Sequence, residues 1–424
     1  MPNLATPGVY IDEIDGLSLS VSFSATAVPV FAINESSEVG WWKKIGKPLL
    51  INTFIEFEKY KQDTSQNKPT PPVNINYADN FFPQRKKLAS WRWPTLTSLA
   101  KETRTNTETG WITQLEPALR AYFENGGGYC YICPYDKLAE FVPNMSDVTL
   151  VVQAGESKAT GAIQQICTPG SMKFGLLDGP KPNENLNHLK ELETLENTHK
   201  TMIPSDCTAV YYPWLKVNWH VTDNLGQSSP EEFLVAPSAV VAGLICTVDR
   251  ERGIWKAPAN VAVKGGLRPA IKIGKGTQDS YTQPNKIAIN MIRDFDGRGT
   301  QIWGARTMTV SGNAWLYVPV RRLFDMAERD IKSALRSVLF EPNGPATWEV
   351  VRSAIDNYLY DLWKQGAFSG SSSQESYFVR VGAGITMNKN DIKNGILRVS
   401  VGLSAVRPAE YIVLEFTQQL ASGA

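Results

Sequence analysis

Cys130-Tyr131-Ile132-Cys133 has the spacing of half a zinc site, in which two thiolates grip one ion. No second half exists, because Cys167, Cys207 and Cys246 are scattered, and on a strand residues three apart point to opposite faces. Buried free thiols are the better reading. The three histidines, His188, His199 and His220, stand in no ligand or triad pattern. Phosphate chemistry asks for glycines between a strand and a following helix, so that free N–H groups face the anion. Gly126-Gly127-Gly128 has the reverse order, with a helical pattern before it and a strand pattern after it. Ile273-Gly274-Lys275-Gly276-Thr277 lacks the earlier glycine and the Gly-Lys-Ser/Thr order of a nucleotide loop, and reads as a turn. Asp249-Arg250-Glu251-Arg252 offers acid and base groups, but alternating charges ahead of Gly253 point to a salt-linked surface turn. Asp294, Asp296 and Arg298 lie around Gly297 and Gly299 without the later glutamate of a calcium loop and with basic neighbours, which favours packing and a turn. No catalytic residue, cofactor or metal is expected, and the chain reads as a non-enzyme.

The elements that carry these residues fill a chain of 424 residues, enough for two or three domains without disulfide staples. With 43 basic against 42 acidic side chains, the net charge of +1 gives no field for gathering nucleic acid. Five cysteines without framework spacing point to synthesis in a reducing cytosol. The start, Met1-Pro2-Asn3-Leu4, shows no leader pattern, and no run approaches the roughly 20 apolar residues of a membrane helix, so no direct membrane insertion is expected.

Along the chain, Val21-Ser22-Phe23 and Val28 to Ile33 read as strands and 53–60 as the start of a short helix. Residues 62–110, with Lys68-Pro69-Thr70-Pro71-Pro72, read as a polar surface insertion. Leu115, Leu119, Tyr122 and Phe123 fall at helical spacing within 111–123, and the three glycines stop that helix before a strand at 129–132. Strands at 149–152, 174–178 and 209–215 with a helix at 184–200 give α/β alternation. Residues 237–245 form a small-residue helix, and 321–340 and 347–364 form two amphipathic ones. Gly366 to Ser373 reads as a flexible connection to strands at 376–387 and 395–403, the latter half-buried because Leu397, Val399, Val401 and Leu403 alternate with smaller or polar residues. Strand-forming strips also lie at the two ends, Thr6 to Ile14 and Tyr411 to Thr417, where chains usually fray unless a partner holds them. A neighbouring copy is the expected partner.

Several blocks carry a resemblance: Thr6-Pro7-Gly8-Val9-Tyr10-Ile11-Asp12-Glu13-Ile14, Ala121 to Gly128, Val248 to Asn260, Asn285 to Arg306 centred on Gly297-Arg298-Gly299-Thr300-Gln301-Ile302-Trp303-Gly304-Ala305-Arg306-Thr307, and the Trp348 to Phe368 helix. In that order they resemble the contractile-tail sheath proteins of myophage tails, R-type pyocins and extracellular contractile injection particles. The resemblance implies an α/β, mixed α+β, multi-domain sheath fold. A C-terminal assembly domain (236–407) would be completed by N-terminal residues (1–33), with an inserted outer α/β domain (34–235) and a C-terminal arm (408–424). It also implies a subunit stacked in six-membered rings around an inner tube, with baseplate and cap proteins as further partners.

In such sheaths both terminal arms add strands to neighbours' sheets, which here falls to Val9, Tyr10, Ile11, Tyr411, Ile412, Val413, Leu414 and Phe416. Pro408 fixes its own φ and cannot donate to a ladder, which makes it the hinge of the C-terminal arm, with an ordinary turn as the alternative. Gly16 is the corresponding N-terminal hinge, with a plain edge strand as the alternative. The resemblance further implies that a C-terminal helix touches the tube, with Arg322, Arg329, Lys332, Arg336, Arg352 and Lys364 as candidates against a solvated polar face. Assembly in a bacterial cytoplasm into a phage tail or an extracellular phage-tail-like particle follows. A specialised sheath paralogue next to the baseplate or cap is the alternative within the class. A soluble α/β enzyme is the alternative outside it.

Overall fold

A computed structural model describes residues 19–34, 46–65, 110–183, 188–222, 228–283, 286–310 and 314–410. Residues 66–109 of the expected insertion lie outside them. The chain forms two units, one taking in described residues from 25 to 322 and from 408 to 410, the other those from 19 to 24 and from 323 to 407.

The larger unit is built on a nine-stranded sheet. Its strands, in chain order, are β1 (Pro29–Ile33), β2 (Leu49–Ile51), β3 (Cys130–Pro134), β4 (Leu150–Val152), β5 (Phe174–Asp178), β6 (Thr208–Tyr212), then β9 (Val261–Ala262), β11 (Ile289–Phe295) and β12 (Gly299–Trp303). The spatial order is β2-β3-β1-β4-β5-β6-β11-β12-β9, parallel from β3 to β11 and antiparallel at both rims. Parallel strands need covering on both faces, which is why β1 and β4 are unbroken apolar runs, β6 is apolar after Thr208, and every residue of the three is buried.

Helices α1 (Phe54–Ser65), α2 (Gly110–Glu124), α3 (Ala159–Ile166), α4 (His188–Lys200) and α5 (Pro237–Arg252) belong to the same unit. α2 packs on α5 at a point where a Cβ on Gly243 would stand 2.4 Å from the Tyr122 carbonyl oxygen, which explains the small-residue character of α5. At the start of α5, Asp178 accepts hydrogen bonds from Ser238 N (2.7 Å), Ser238 Oγ (2.9 Å) and Gly155 N (2.8 Å). Burial pushes its pKa up to about 6 against the pull of these donors. The five cysteines are buried and free, and burial pushes the Cys130 and Cys246 thiols up and that of Cys133 up to about 12.

Several expectations are corrected here. The strand expected at 209–215 is two, β6 and β7 (Leu215–Thr222), because Pro213 cannot continue a ladder; β7 pairs with β8 (Ser228–Val235) and β10 (Arg268–Pro269) in a separate sheet. Asp249 to Arg252 is the last turn of α5, not a surface turn. Lys275 to Ser280 is a short helix, α6, with Gly274 at its N-cap. Residues 236–322, expected with the C-terminal part, stay in the larger unit because β11 and β12 extend its sheet. Val21 to Phe23 forms no strand. The turn at 295–299 was expected: Gly297 takes φ +73°, and Arg298 lies over Phe295 and Trp303.

The smaller unit contains most of α7 (Val318–Leu335), α8 (Pro345–Lys364), β13 (Tyr377–Val381), α9 (Lys389–Lys393) and β14 (Val399–Leu403). Leu323, Met326 and Ala327 of α7 and Val351, Ile355, Tyr358, Leu359 and Leu362 of α8 are buried, as their spacing requires. The Tyr358 hydroxyl donates to Asp330 (2.8 Å), which also accepts from Ser24, and the Phe23 ring lies 5.0 Å from that of Tyr358.

Candidate assembly surface

Among the described residues, the pair β13–β14 forms a sheet of two strands, in the register Tyr377↔Leu403, Val379↔Val401, Val381↔Val399. It packs on α8, with Tyr377 and Val381 buried, while Val399, Val401 and Leu403 remain only half-covered. Phe378 on the other face is 43% exposed, with the Arg380 guanidinium 4.6 Å from its ring. Neither outer edge has a strand partner among the described residues. A two-stranded ribbon is marginal by itself, and each open edge presents a row of N–H and C=O groups to any strand that arrives.

Local chemistry limits the ribbon to five residues per strand, shorter than the 376–387 and 395–403 stretches expected. Past Val381 the chain turns tightly, with Met387 N bonded to Gly382 O (3.2 Å) and Gly384 at φ +74°. Ahead of β14, Asn388 caps α9 and Gly395 takes φ +71°. Gly366 to Ser373 was expected to be a flexible connection, but backbone bonds from Ser369 N to Ser404 O (2.7 Å) and from Val406 N to Ala367 O (3.1 Å) pin it. The chain after β14 is therefore held as far as Val406.

Of the residues expected to exchange strands, Val9, Tyr10, Ile11, Tyr411, Ile412, Val413, Leu414 and Phe416 lie outside the described residues, as does Gly16. Pro408 is half-buried. Two residues on, Glu410 is held in the larger unit by Arg306, through Nε to both carboxylate oxygens (3.0 and 3.1 Å) and through Nη2. Sequence reasoning assigned neither residue a role; the only signal was that Arg306 closes one of the resembling blocks.

The basic candidates on the helices separate. Arg322 is 3% exposed, its guanidinium spent on Asp249 (Nη2–Oδ2 2.6 Å, Nη1–Oδ1 3.0 Å) and on the Thr26 carbonyl (3.0 Å), so its place among outward-facing cations is corrected. Burial opposes its charge, but the neighbouring Asp249 outweighs burial and raises its pKa. Arg329 donates to Ser24 Oγ from Nε (3.0 Å) and Nη2 (2.9 Å). Lys332, Arg336, Arg352 and Lys364 are exposed, Arg352 paired with Glu349 and Lys364 over the Tyr360 ring.

Comparison with known proteins gives one consistent result. Residues 181–308 match the phage tail sheath protein central domain and 310–419 the phage tail sheath C-terminal domain. Among solved structures, the chain is similar to the PVC sheath of an extracellular contractile injection system in its contracted state, at 40% identity over 98% of both chains with a TM-score of 0.74. It is similar at 32% identity to the helical sheath of the anti-feeding prophage in its contracted state, over 98% of this chain and 99% of that one, with a TM-score of 0.66. A curated relative, the tail sheath protein of Vibrio phage KVP40, is 32% identical over 129 residues, 30% of this chain and 19% of that protein. The match thus spans about a fifth of the phage protein's length.

Proposed function

Because the chain belongs to the contractile tail sheath family and is a structural subunit of such a sheath, we propose that it polymerises around an inner tube by exchanging terminal strands with neighbouring copies. The observation that carries this reading is the β13–β14 ribbon, whose two outer edges have no strand partner among the described residues. One edge receives the Val9-Tyr10-Ile11 strip of one neighbour, and the other receives the Tyr411 to Phe416 strip of another. A donated strand making four to six ladder bonds, at roughly 0.5–1.5 kcal/mol net each, links two copies by several kcal/mol. It also covers the half-exposed Val399, Val401 and Leu403. Because donor and acceptor are unlike surfaces, the contact is head-to-tail, and one that does not close on itself grows as a helix.

Contraction follows if the exchanged strands hold while other contacts between copies slide from one packing to a second, lower in free energy, the difference being summed over many subunits. Energy stored at assembly drives the tube outwards. The half-buried Arg329 and the exposed Lys332, Arg336, Arg352 and Lys364 are the remaining candidates for facing the tube. Baseplate and cap proteins bind the ends of the polymer, and assembly takes place in a bacterial cytoplasm before the particle, phage tail or phage-tail-like device, leaves the cell.

Removing residues 1–15 or 411–424 tests this reading. Circular dichroism of the truncated subunits should match that of the full chain, and electron microscopy should show no filaments. Filaments of normal length from both truncations would refute strand exchange.

A further inference from the structure

Pro408 restrains only its own φ, so it does not by itself decide where a following arm points. A second fixed point is needed, and Glu410 is one. Its carboxylate takes the two-pronged contact from Arg306 and a hydrogen bond from the Tyr317 hydroxyl (3.3 Å). Arg306 also donates from Nη1 to the Thr282 carbonyl (2.8 Å).

Arg306 is itself locked to the sheet. Its N–H donates to Asn290 Oδ1 (2.7 Å) and its carbonyl accepts from Asn290 Nδ2 (2.8 Å), which also reaches the Val210 carbonyl (3.1 Å). Asn290 is 2% exposed in β11, and a Cβ on Gly304 would stand 3.0 Å from its Cα, so only glycine lets this segment lie so close. An unbroken series of bonds thus runs from β6 through Asn290 and Arg306 to Glu410. With side chains only 10% and 23% exposed, the ion pair is screened less than a surface pair.

We propose that this clasp aims the C-terminal arm: Arg306 and Tyr317 hold Glu410 so that the working hinge lies beyond Glu410, and the donated strand reaches its acceptor with most of its orientation already set. The proposal rests on the strand-exchange reading for the arm's task, though not for the clasp itself. Pre-setting the arm lowers the ordering cost of each link, the usual gain from preorganisation.

Glu410→Ala and Tyr317→Phe test it, since neither disturbs the Asn290 lock. A spin label at Ser422, read in the soluble subunit below its filament threshold, should become more mobile in Glu410→Ala and less markedly so in Tyr317→Phe. The threshold concentration for filaments should rise roughly tenfold in Glu410→Ala, the size expected for losing a partly buried charged contact. Glu410→Asp, which keeps the charge, should recover part of both. A label of unchanged mobility in Glu410→Ala overturns the clasp, and a mobile label with an unchanged threshold overturns its aiming role. Deletion of 411–424 separates the two ideas, because filaments persisting there end the exchange of the C-terminal strand, while label mobility in the full-length chain still decides the clasp.

Discussion

Asp178 shows how far a single side chain departs from what its position in the sequence announces. Phe174 to Asp178 reads as a strand ending in a turn, and nothing local says that the carboxylate will take up three donors, two of them from Ser238 sixty residues on. Its folded pKa of about 6 stands above the ordinary carboxylate value, so the folded state holds this proton more tightly than the unfolded chain does. The stability it contributes is therefore complete below about pH 4 and is lost as pH rises to about 6. In Asp178→Asn, which does not titrate, that segment of the profile should flatten by about 1–3 kcal/mol. Thermal unfolding of both proteins from pH 4 to 7 checks this. A wild-type advantage that grows with rising pH would mean that the Ser238 and Gly155 donors outweigh burial. The cysteines behaved otherwise: Cys130 and Cys133 were legible as buried thiols because strand alternation is a local rule.

Elements were legible where their periodicity was. α2, α7 and α8 follow from apolar spacing, and β1 and β4 from short apolar runs, whereas β13 and β14 came out shorter than expected because glycine turns at Gly384 and Gly395 interrupt an otherwise strand-like pattern. How the elements join was not legible. Arg322, in the first turns of α7, reaches Asp249 at the end of α5, and both side chains are under 5% exposed. Taking one partner from such a pair leaves an uncompensated buried charge, at a cost of about 3–5 kcal/mol, while replacing both with uncharged groups is far milder. Asp249→Asn should lower subunit stability by about 3 kcal/mol in chemical denaturation, and adding Arg322→Met should recover most of that loss. A double variant no better than the single would show that the pair's geometry, more than its charge balance, stabilises the larger unit at the end of α5.

At the scale of the whole molecule, the helix α1 ends at Ser65 and α2 begins at Gly110, so the intervening polar stretch can be replaced without breaking either. Exchanging 66–109 for a short Gly-Ser linker should leave filament formation intact under electron microscopy, in contrast to loss of either terminal strip. Filaments lost with 66–109 would place that stretch in the assembly contacts. The sequence by itself determined the α/β alternation, the two amphipathic helices, the free thiols and, through blocks in a recognisable order, the sheath family, since all of these rest on local propensity, periodicity or matched stretches. Only the tertiary structure decided that β6 lies beside β11, about eighty residues later, that Arg322 faces inward, and that Arg306 grips Glu410 across 104 positions. Such pairings depend on which distant surfaces bury one another, and no spacing rule within a single stretch of chain encodes that.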